Sequence, residues 1–132
     1  MTDRDLNHLH PTFKPLCEAF IKQCKDDGIE VIITCTHRSN EEQNALYALG
    51  RTIKGKKFTN AKGGQSKHNF TIDGKPAAKA FDFVIIDPVT DKPVWRTSDI
   101  RWTLAVAIGK ELGLTSGADW KTLKDFGHME IA

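Results

Sequence analysis

The residues AFDFVII, at positions 80–86, form a run of β-branched and aromatic side chains that predicts a strand. Asp82 interrupts this apolar run, and burying an ionised carboxylate is costly unless it is paired or bound to a metal. Strand alternation places Phe81 and Phe83 on one face and Asp82 on the other. Asp82 therefore either belongs to a functional site or faces solvent from a half-exposed strand.

The rest of the chain predicts a mixture of helices and short strands. Helices are expected at 11–27, from Ser39 to about Leu49, and at 99–112, where Thr97 or Ser98 is the expected cap. Ser39 and Glu42 have the capping-box spacing. Further strands are expected at 29–34, 67–72 and 126–131, and residues 51–66 read as a long exposed loop. This order predicts one α+β domain over residues 1–132, with helices packed on a small, mainly antiparallel sheet.

Composition narrows the classes of function. The chain has 132 residues, 39% of them hydrophobic, and a net charge of +2, which is too weak to indicate nucleic-acid binding. A basic cluster within 51–67 is interpreted as a solvated loop in preference to a binding surface. The three cysteines, Cys17, Cys24 and Cys35, are an odd count without a CxxC pair, so we expect buried thiols and no disulfide framework. No apolar run is long enough to span a membrane, and the first residues lack the apolar region of a signal peptide.

Three separate segments offer metal ligands: His68 in SKHNF, Asp82 in AFDFVII and His128 in DFGHMEI. Catalytic zinc sites take three ligands of this kind and keep a position for water. Asp125 precedes His128 by three residues and could act as a general base, although spacing alone favours a surface carboxylate beside Lys121 and Lys124. Arg38 follows a predicted strand and could bind a carboxylate or an oxyanion, or simply face solvent.

In chain order, the fragments SKH, AFD, GADW and DFGHME resemble the zinc peptidases of the D-alanyl-D-alanine carboxypeptidase and dipeptidase superfamily. The resemblance is closest to the L-alanyl-D-glutamate endopeptidases that bacteriophages use as endolysins. The segment Thr36–Ser39, followed by Glu42 and Gln43, also matches, so that the resemblance covers roughly residues 30–132. The hedgehog signalling domain resembles the same superfamily and holds zinc without peptidase activity.

The resemblance implies one zinc ion held by His68, Asp82 and His128. It implies Asp125 as general base and Arg38 as the residue that orients the substrate or stabilises the transition state.

Four further residues receive supporting places. Ser66 is expected near the site, and Asp119 and Trp120 beside the cleft without an assigned chemical step. Glu130 lies two residues after His128 on the same strand face, so it either orients that ligand or faces solvent.

One departure from the family pattern concerns the spacing of the first two ligands. His68 and Asp82 lie farther apart than the family places them, and Ala78 stands where a glycine is expected. The extra residues, 70–76 (FTIDGKP), predict an inserted turn, which loops tolerate.

Taken over the whole chain, the resemblance implies a monomeric zinc metallopeptidase that hydrolyses the L-alanyl-D-glutamate bond of peptidoglycan. We expect a phage or prophage endolysin, made in the host cytoplasm without a signal peptide and released to the wall through a holin lesion. The alternatives are a D,D-carboxypeptidase or dipeptidase on the same scaffold, a non-catalytic zinc domain, and a plain wall-binding module.

Overall fold

The computed structural model describes residues 2–132. Its three α-helices are α1 (Lys14–Asp26), α2 (Asn40–Ala48) and α3 (Ile100–Glu111). Its strands are β1 (Glu30–Cys35), β2 (Thr71–Ile72), β3 (Lys75–Pro76), β4 (Ala80–Asp87), β5 (Lys92–Val94), β6 (Thr115–Ser116) and β7 (His128–Glu130). Short 3₁₀ helices cover Leu6–His8, Lys67–Asn69 and Gly117–Asp119.

The main sheet is antiparallel throughout and is built around β4. Its strand order is β1-β4-β7-β6, and β5 pairs with the far end of β4. The small strands β2 and β3 form a separate hairpin. This arrangement confirms the predicted α+β class with helices on a small antiparallel sheet. No helix among residues 2–132 is long and apolar enough to cross a membrane.

The hydrophobic core lies between the sheet and helices α1 and α3. Phe20 of α1 packs edge-on against Phe83 of β4, with ring centroids 4.9 Å apart. Phe81 stacks on Phe13 at 5.4 Å, and both side chains are fully buried. Alternation along β4 therefore directs Phe81 and Phe83 into the core and turns Asp82 to the opposite face, as the sequence predicted.

The register of the sheet places possible site residues side by side. Asp82 lies opposite His128 of β7 on one side and opposite Cys35 of β1 on the other. A β-bulge between Ile33 and Cys35 shifts the pairing just before this point. Bulges re-aim side chains and are common next to functional sites.

Several local predictions are confirmed. Ser39 and Glu42 form the complete capping box at the start of α2. The inserted turn is the β2–β3 hairpin, where Asp73 and Gly74 both adopt positive φ. Its base is closed by hydrogen bonds from Ala77 N to Phe70 O and from Lys79 N to Lys67 O, at 3.0 and 2.9 Å. The extra residues therefore loop away from the sheet without disturbing β4.

Other local predictions are wrong. Residues 67–72 do not form one strand, because Ser66 caps a 3₁₀ helix at Lys67–Asn69 and only Thr71–Ile72 is extended. The cap of α3 is Asp99, whose carboxylate accepts from Arg101 N, and not Thr97 or Ser98. Strands β5 and β6, of three and two residues, are too short to show a periodic pattern and were not predicted.

Candidate active site

Asp82 is the meeting point of the three predicted ligands. Its Oδ1 lies 3.1 Å from His68 Nε2 and 3.3 Å from His128 Nδ1. Each side chain comes from a different element: β4 supplies Asp82, the 3₁₀ helix at Lys67–Asn69 supplies His68, and β7 supplies His128. Both histidines are buried.

The second nitrogen of each imidazole is held by an acceptor of the protein. His68 Nδ1 donates to the Thr36 carbonyl at 2.7 Å, and His128 Nε2 donates to Glu130 Oε1 at 2.7 Å. These partners fix the ring orientations, so that His68 Nε2 and His128 Nδ1 are the atoms directed at Asp82. Metal-binding histidines are typically oriented in this way by a carbonyl or a carboxylate.

The charges of this cluster reinforce one another. Burial alone would lower the pKa of His68, but the adjacent Asp82 carboxylate outweighs burial and raises it to about 10. Burial would likewise lower the pKa of His128, but hydrogen bonds to Asp82 and Glu130 raise it. Burial would raise the pKa of Asp82, and the two imidazoles hold it well below its usual range instead. In the metal-free protein, protonated imidazoles thus balance the buried carboxylate.

Arg38 lies on the other side of Asp82. Its Nη2 is 3.4 Å from Asp82 Oδ2, and its Nη1 donates to Gln43 Oε1 at 3.0 Å. Gln43 is fully buried, and its Nε2 donates to the Ala61 carbonyl at 2.8 Å. Arg38 is therefore a half-buried part of the site and not a surface arginine, and Gln43 ties it to the long loop.

Asp125 approaches the cluster from the turn before β7. Ligand atoms of Asp82, Asp125 and His128 lie within 4.8 Å of one another. A side chain at Gly117 would meet the Asp125 carbonyl, with a Cβ only 2.4 Å from it, so glycine is needed for the turn to pack here. Burial raises the pKa of Asp125, and the neighbouring Asp82 carboxylate raises it further.

These groups surround a small cavity of about 40 Å³. A single water needs roughly 10–15 Å³, so the cavity has room for a small ion and a water molecule. Its lining consists of the three predicted ligands together with Arg38, Ser66, Asp125, Trp120, Phe58 and Thr59.

The donor set fits zinc. Two imidazoles with oriented second nitrogens and one carboxylate are the ligand types of catalytic zinc sites. The possible metal-binding groups among residues 2–132 are Asp82–Asp125–His128 and Cys35–His68–Asp82, and Asp82 belongs to both.

Three of the four predicted supporting residues contact the site histidines, and one lies away from the cavity. The Ser66 hydroxyl accepts from His68 N at 3.2 Å, and Trp120 packs against His128 with ring centroids 4.7 Å apart. Glu130 contacts His128, as described above. Asp119 does not reach the cavity, because its carboxylate pairs with Lys110 at 3.0 Å on the surface.

Two residues next to the site, Gln43 and Cys35, were not predicted to lie there from the sequence. Gln43 was noted only as part of a matching segment. Cys35 is buried as expected, but its Sγ lies 3.9 Å from His68 Nδ1 and 3.7 Å from Arg38 Nη2. Only the pairing of β1 with β4 brings this thiol to the site, and no local pattern signals it.

Comparison with known proteins agrees with this geometry. Residues 6–90 match the VanY family, described as D-alanyl-D-alanine carboxypeptidase. The chain is also 40% identical over 124 residues to the peptidoglycan L-alanyl-D-glutamate endopeptidase CwlK of Bacillus subtilis (strain 168), covering 93% of this chain and 73% of CwlK. The chain belongs to the VanY family.

VanY-family membership confirms the resemblance on which the site residues were assigned. The family match spans Arg38, His68 and Asp82. The fold is also similar to the crystal structure of the Serratia marcescens L-Ala D-Glu endopeptidase ChiX, with a TM-score of 0.66 and 18% identity over 100% of this chain and 89% of ChiX.

Proposed function

We propose that this VanY-family protein is a zinc-dependent endopeptidase that hydrolyses the L-alanyl-D-glutamate bond of the peptidoglycan stem peptide. The observation that carries the proposal is the meeting of His68 and His128 at Asp82, with Asp125 beside them in the same cavity. The choice of bond is supported by CwlK, the relative that covers most of the chain and whose name states this activity.

His68, Asp82 and His128 would hold the zinc ion. When bound, zinc supplies a Lewis acid and lowers the pKa of a coordinated water to roughly 7. Oriented imidazoles limit the rearrangement that binding requires, because their second nitrogens are already held by Thr36 and Glu130.

Asp125 would act as the general base and then as the general acid. It accepts a proton from the attacking water as the water oxygen bonds to the L-alanyl carbonyl carbon. It returns this proton to the nitrogen of D-glutamate as the carbon–nitrogen bond breaks. The raised pKa of Asp125 suits a group that must both take up and release a proton near neutral pH.

Arg38 would position Asp82 and stabilise negative charge on the scissile carbonyl oxygen. Its guanidinium lines the cavity and already contacts Asp82 through Nη2. Gln43 restrains the same guanidinium, so its orientation is set before substrate arrives.

The test is digestion of purified peptidoglycan by the zinc-loaded protein, with and without a chelator, followed by mass spectrometry. The expected products carry new L-alanine carboxyl ends and D-glutamate amino ends, disappear with chelator and return with added zinc. Asp125→Ala serves as a folded, metal-binding control. Absence of cleavage by the zinc-loaded wild type would favour the non-catalytic zinc domain.

A D,D-carboxypeptidase is the second candidate, because the description of the matching family names this activity. It would release free D-alanine from pentapeptide stems and leave the L-alanyl-D-glutamate bond intact. The same digestion separates the two activities by the mass of the products.

The endolysin role, release through a holin lesion and the monomeric state remain proposals that rest on the sequence. CwlK is a bacterial protein, so a role in the producing cell's own wall is equally open to test. Expression in a bacterial host with and without a holin tests the first two: lysis only with the holin supports them. Size-exclusion chromatography with light scattering tests the third.

A further inference from the structure

Three open grooves share lining residues with the small cavity. One, of about 580 Å³, adjoins it at Arg38 and Phe58, and the other two lie beside Asp125 and Trp120. The groove beside Asp125, here called the lysine groove, has a volume of about 490 Å³ and is lined by Asp82, Asp125, Lys57, Lys124 and the exposed Trp95. The same groove therefore contains a predicted ligand, the proposed general base and two cations.

The groove beside Trp120, here called the amide groove, has a volume of about 420 Å³. Asn60, Gln65, Trp120 and Lys121 line it, whereas Asp82 and Asp125 do not. Phe58 and Leu123 line both grooves. The two grooves thus differ in their lining, and of the two only the lysine groove reaches Asp82 and Asp125.

The position of Asp125 indicates which half of the substrate each groove would bind. In the proposed mechanism the Asp125 carboxyl returns a proton to the departing nitrogen, so it must lie on the side of the bond from which the amine leaves. Asp125 lines the lysine groove alone. The lysine groove is therefore the one that receives the amine product.

The amine half of the substrate is anionic close to the bond. D-Glutamate is joined to the next residue through its γ-carboxyl, which leaves its α-carboxylate on the same carbon as the departing nitrogen. On the other side, the lactyl carboxyl of the sugar is consumed in an amide with L-alanine and carries no charge. Of the two halves, only the amine half therefore carries a negative charge next to the bond that cations in its groove could bind.

Neither Lys57 nor Lys124 forms an ion pair with another of the residues that the structure describes. The ion pairs that lysines form within residues 2–132 are Lys22–Asp26 and Lys110–Asp119. Both groove lysines are exposed, so their flexible side chains can reach a carboxylate in the groove.

We propose that Lys57 and Lys124 bind the α-carboxylate of the leaving D-glutamyl peptide, and that the enzyme therefore prefers stems with free D-glutamate over stems amidated to D-isoglutamine. This inference rests on the proposed function, which fixes the bond that is cut. It also replaces part of the interpretation of the basic cluster as a solvated loop, because Lys57 belongs to that cluster.

The experiment compares two synthetic peptides that differ at one group. Both are N-acetyl-L-alanyl-γ-D-glutamyl-L-lysine, one with a free α-carboxylate and the other with an α-carboxamide. The readout is kcat/KM of the zinc-loaded protein for each. We expect the wild type to favour the free acid about tenfold, which corresponds to ~1.4 kcal/mol.

Lys57→Gln with Lys124→Gln should bring the ratio of the two kcat/KM values close to one. Lys121→Gln is the matched control, since it removes the same charge from the amide groove and should keep the wild-type ratio. Raising the salt concentration should also reduce the ratio in the wild type, because exposed charges are screened.

Each outcome separates the inference from the proposed function. Equal cleavage of the two peptides by the wild type overturns the lysine assignment alone. So does a preference that survives in the double variant, or one that Lys121→Gln abolishes equally. Failure to cleave either peptide overturns the proposed function and the lysine assignment with it.

Discussion

We propose different roles for Asp125 and for the predicted metal ligands that lie beside it. The Gly127 amide donates to its Oδ1 at 3.2 Å, which anchors the carboxylate independently of any metal. We expect Asp125→Asn to retain zinc and to lower kcat by about 10²–10⁴, the usual contribution of a general acid–base group. Zinc content by mass spectrometry and kcat on a muropeptide check this. Loss of zinc from a folded Asp125→Asn protein would make Asp125 a ligand and remove it as the base.

In the proposed zinc site, Glu130 would act on the metal through His128. Its carboxylate accepts the Nε2 proton of His128 at 2.7 Å, which keeps Nδ1 directed at Asp82. Glu130→Gln should weaken zinc binding about 10–100-fold, as is typical when the partner of a ligating histidine is changed. Added zinc should restore activity. Competition with a zinc-binding dye measures the affinity, and Glu111→Gln, on the exposed end of α3, is the control. Unchanged affinity in Glu130→Gln would make the contact incidental.

Among individual residues, the sequence predicted what depends on local pattern. The apolar neighbours of Asp82 signalled a costly carboxylate, and the two-residue offset between His128 and Glu130 predicted a shared face. The contact of Asp119 with Lys110 was beyond prediction, because α3 and the 3₁₀ helix at Gly117–Asp119 meet only in the folded chain. The same limit applies to Cys35 and Gln43, which reach the site through tertiary packing.

The α2 helix connects Arg38 with the long loop, so its first turn bears on the site. Ser39 Oγ accepts from Glu42 N at 3.1 Å, and Glu42 Oε1 accepts from Ser39 N at 3.0 Å. Ser39→Ala removes the first of these bonds and should lower the free energy of unfolding by about 0.5–2 kcal/mol. Urea denaturation measures this change.

Thr52→Ala, in the neighbouring loop, provides a comparison for Ser39→Ala because Thr52 holds no helix cap. Equal stability of Ser39→Ala and the wild type would show that α2 is held by Gln43 and its packing, and that the cap contributes little.

Element prediction succeeded where patterns were long and failed where they were short. The eight-residue β4 and the capping box of α2 carry strong signals. At Lys67–Asn69, the caps formed by Ser66 and Asn69 override the extended tendency of the segment. This local capping explains why His68 projects from a 3₁₀ turn and not from a strand.

For the molecule as a whole, the buried charges of the site link stability to pH. In the metal-free protein the pKa of His68 rises from 6.5 to about 10, so the stability from its pairing with Asp82 is complete below pH 6.5 and is lost as pH rises through about 10. Asp82 works in the opposite direction. Its pKa is lowered from 3.8, so its contribution is present above pH 3.8 and fades only in stronger acid.

We therefore expect the free energy of unfolding of the metal-free protein to fall from pH 6.5 to 9.5, and to fall more steeply than in His68→Gln. Unfolding in guanidinium, with chelator present and at several pH values, measures the free energy of unfolding of both proteins. Groups that titrate in the same way in both proteins do not contribute to the difference between them. Parallel pH profiles would show that His68 is neutral in the metal-free protein. Excess zinc should reverse the loss at high pH, because zinc binds the deprotonated imidazole of the folded state.

The closed base of the β2–β3 hairpin makes its tip a site where inserted residues can be tolerated. Backbone hydrogen bonds below the hairpin hold Lys67 and Lys79 together, so the tip at Asp73–Gly74 can change in length while His68 and Asp82 keep their positions. Exposed tips of this kind accept inserted sequence. A wall-targeting peptide or a reporter tag could be inserted there, and undiminished zinc binding after the insertion would show that the two predicted ligands had not moved.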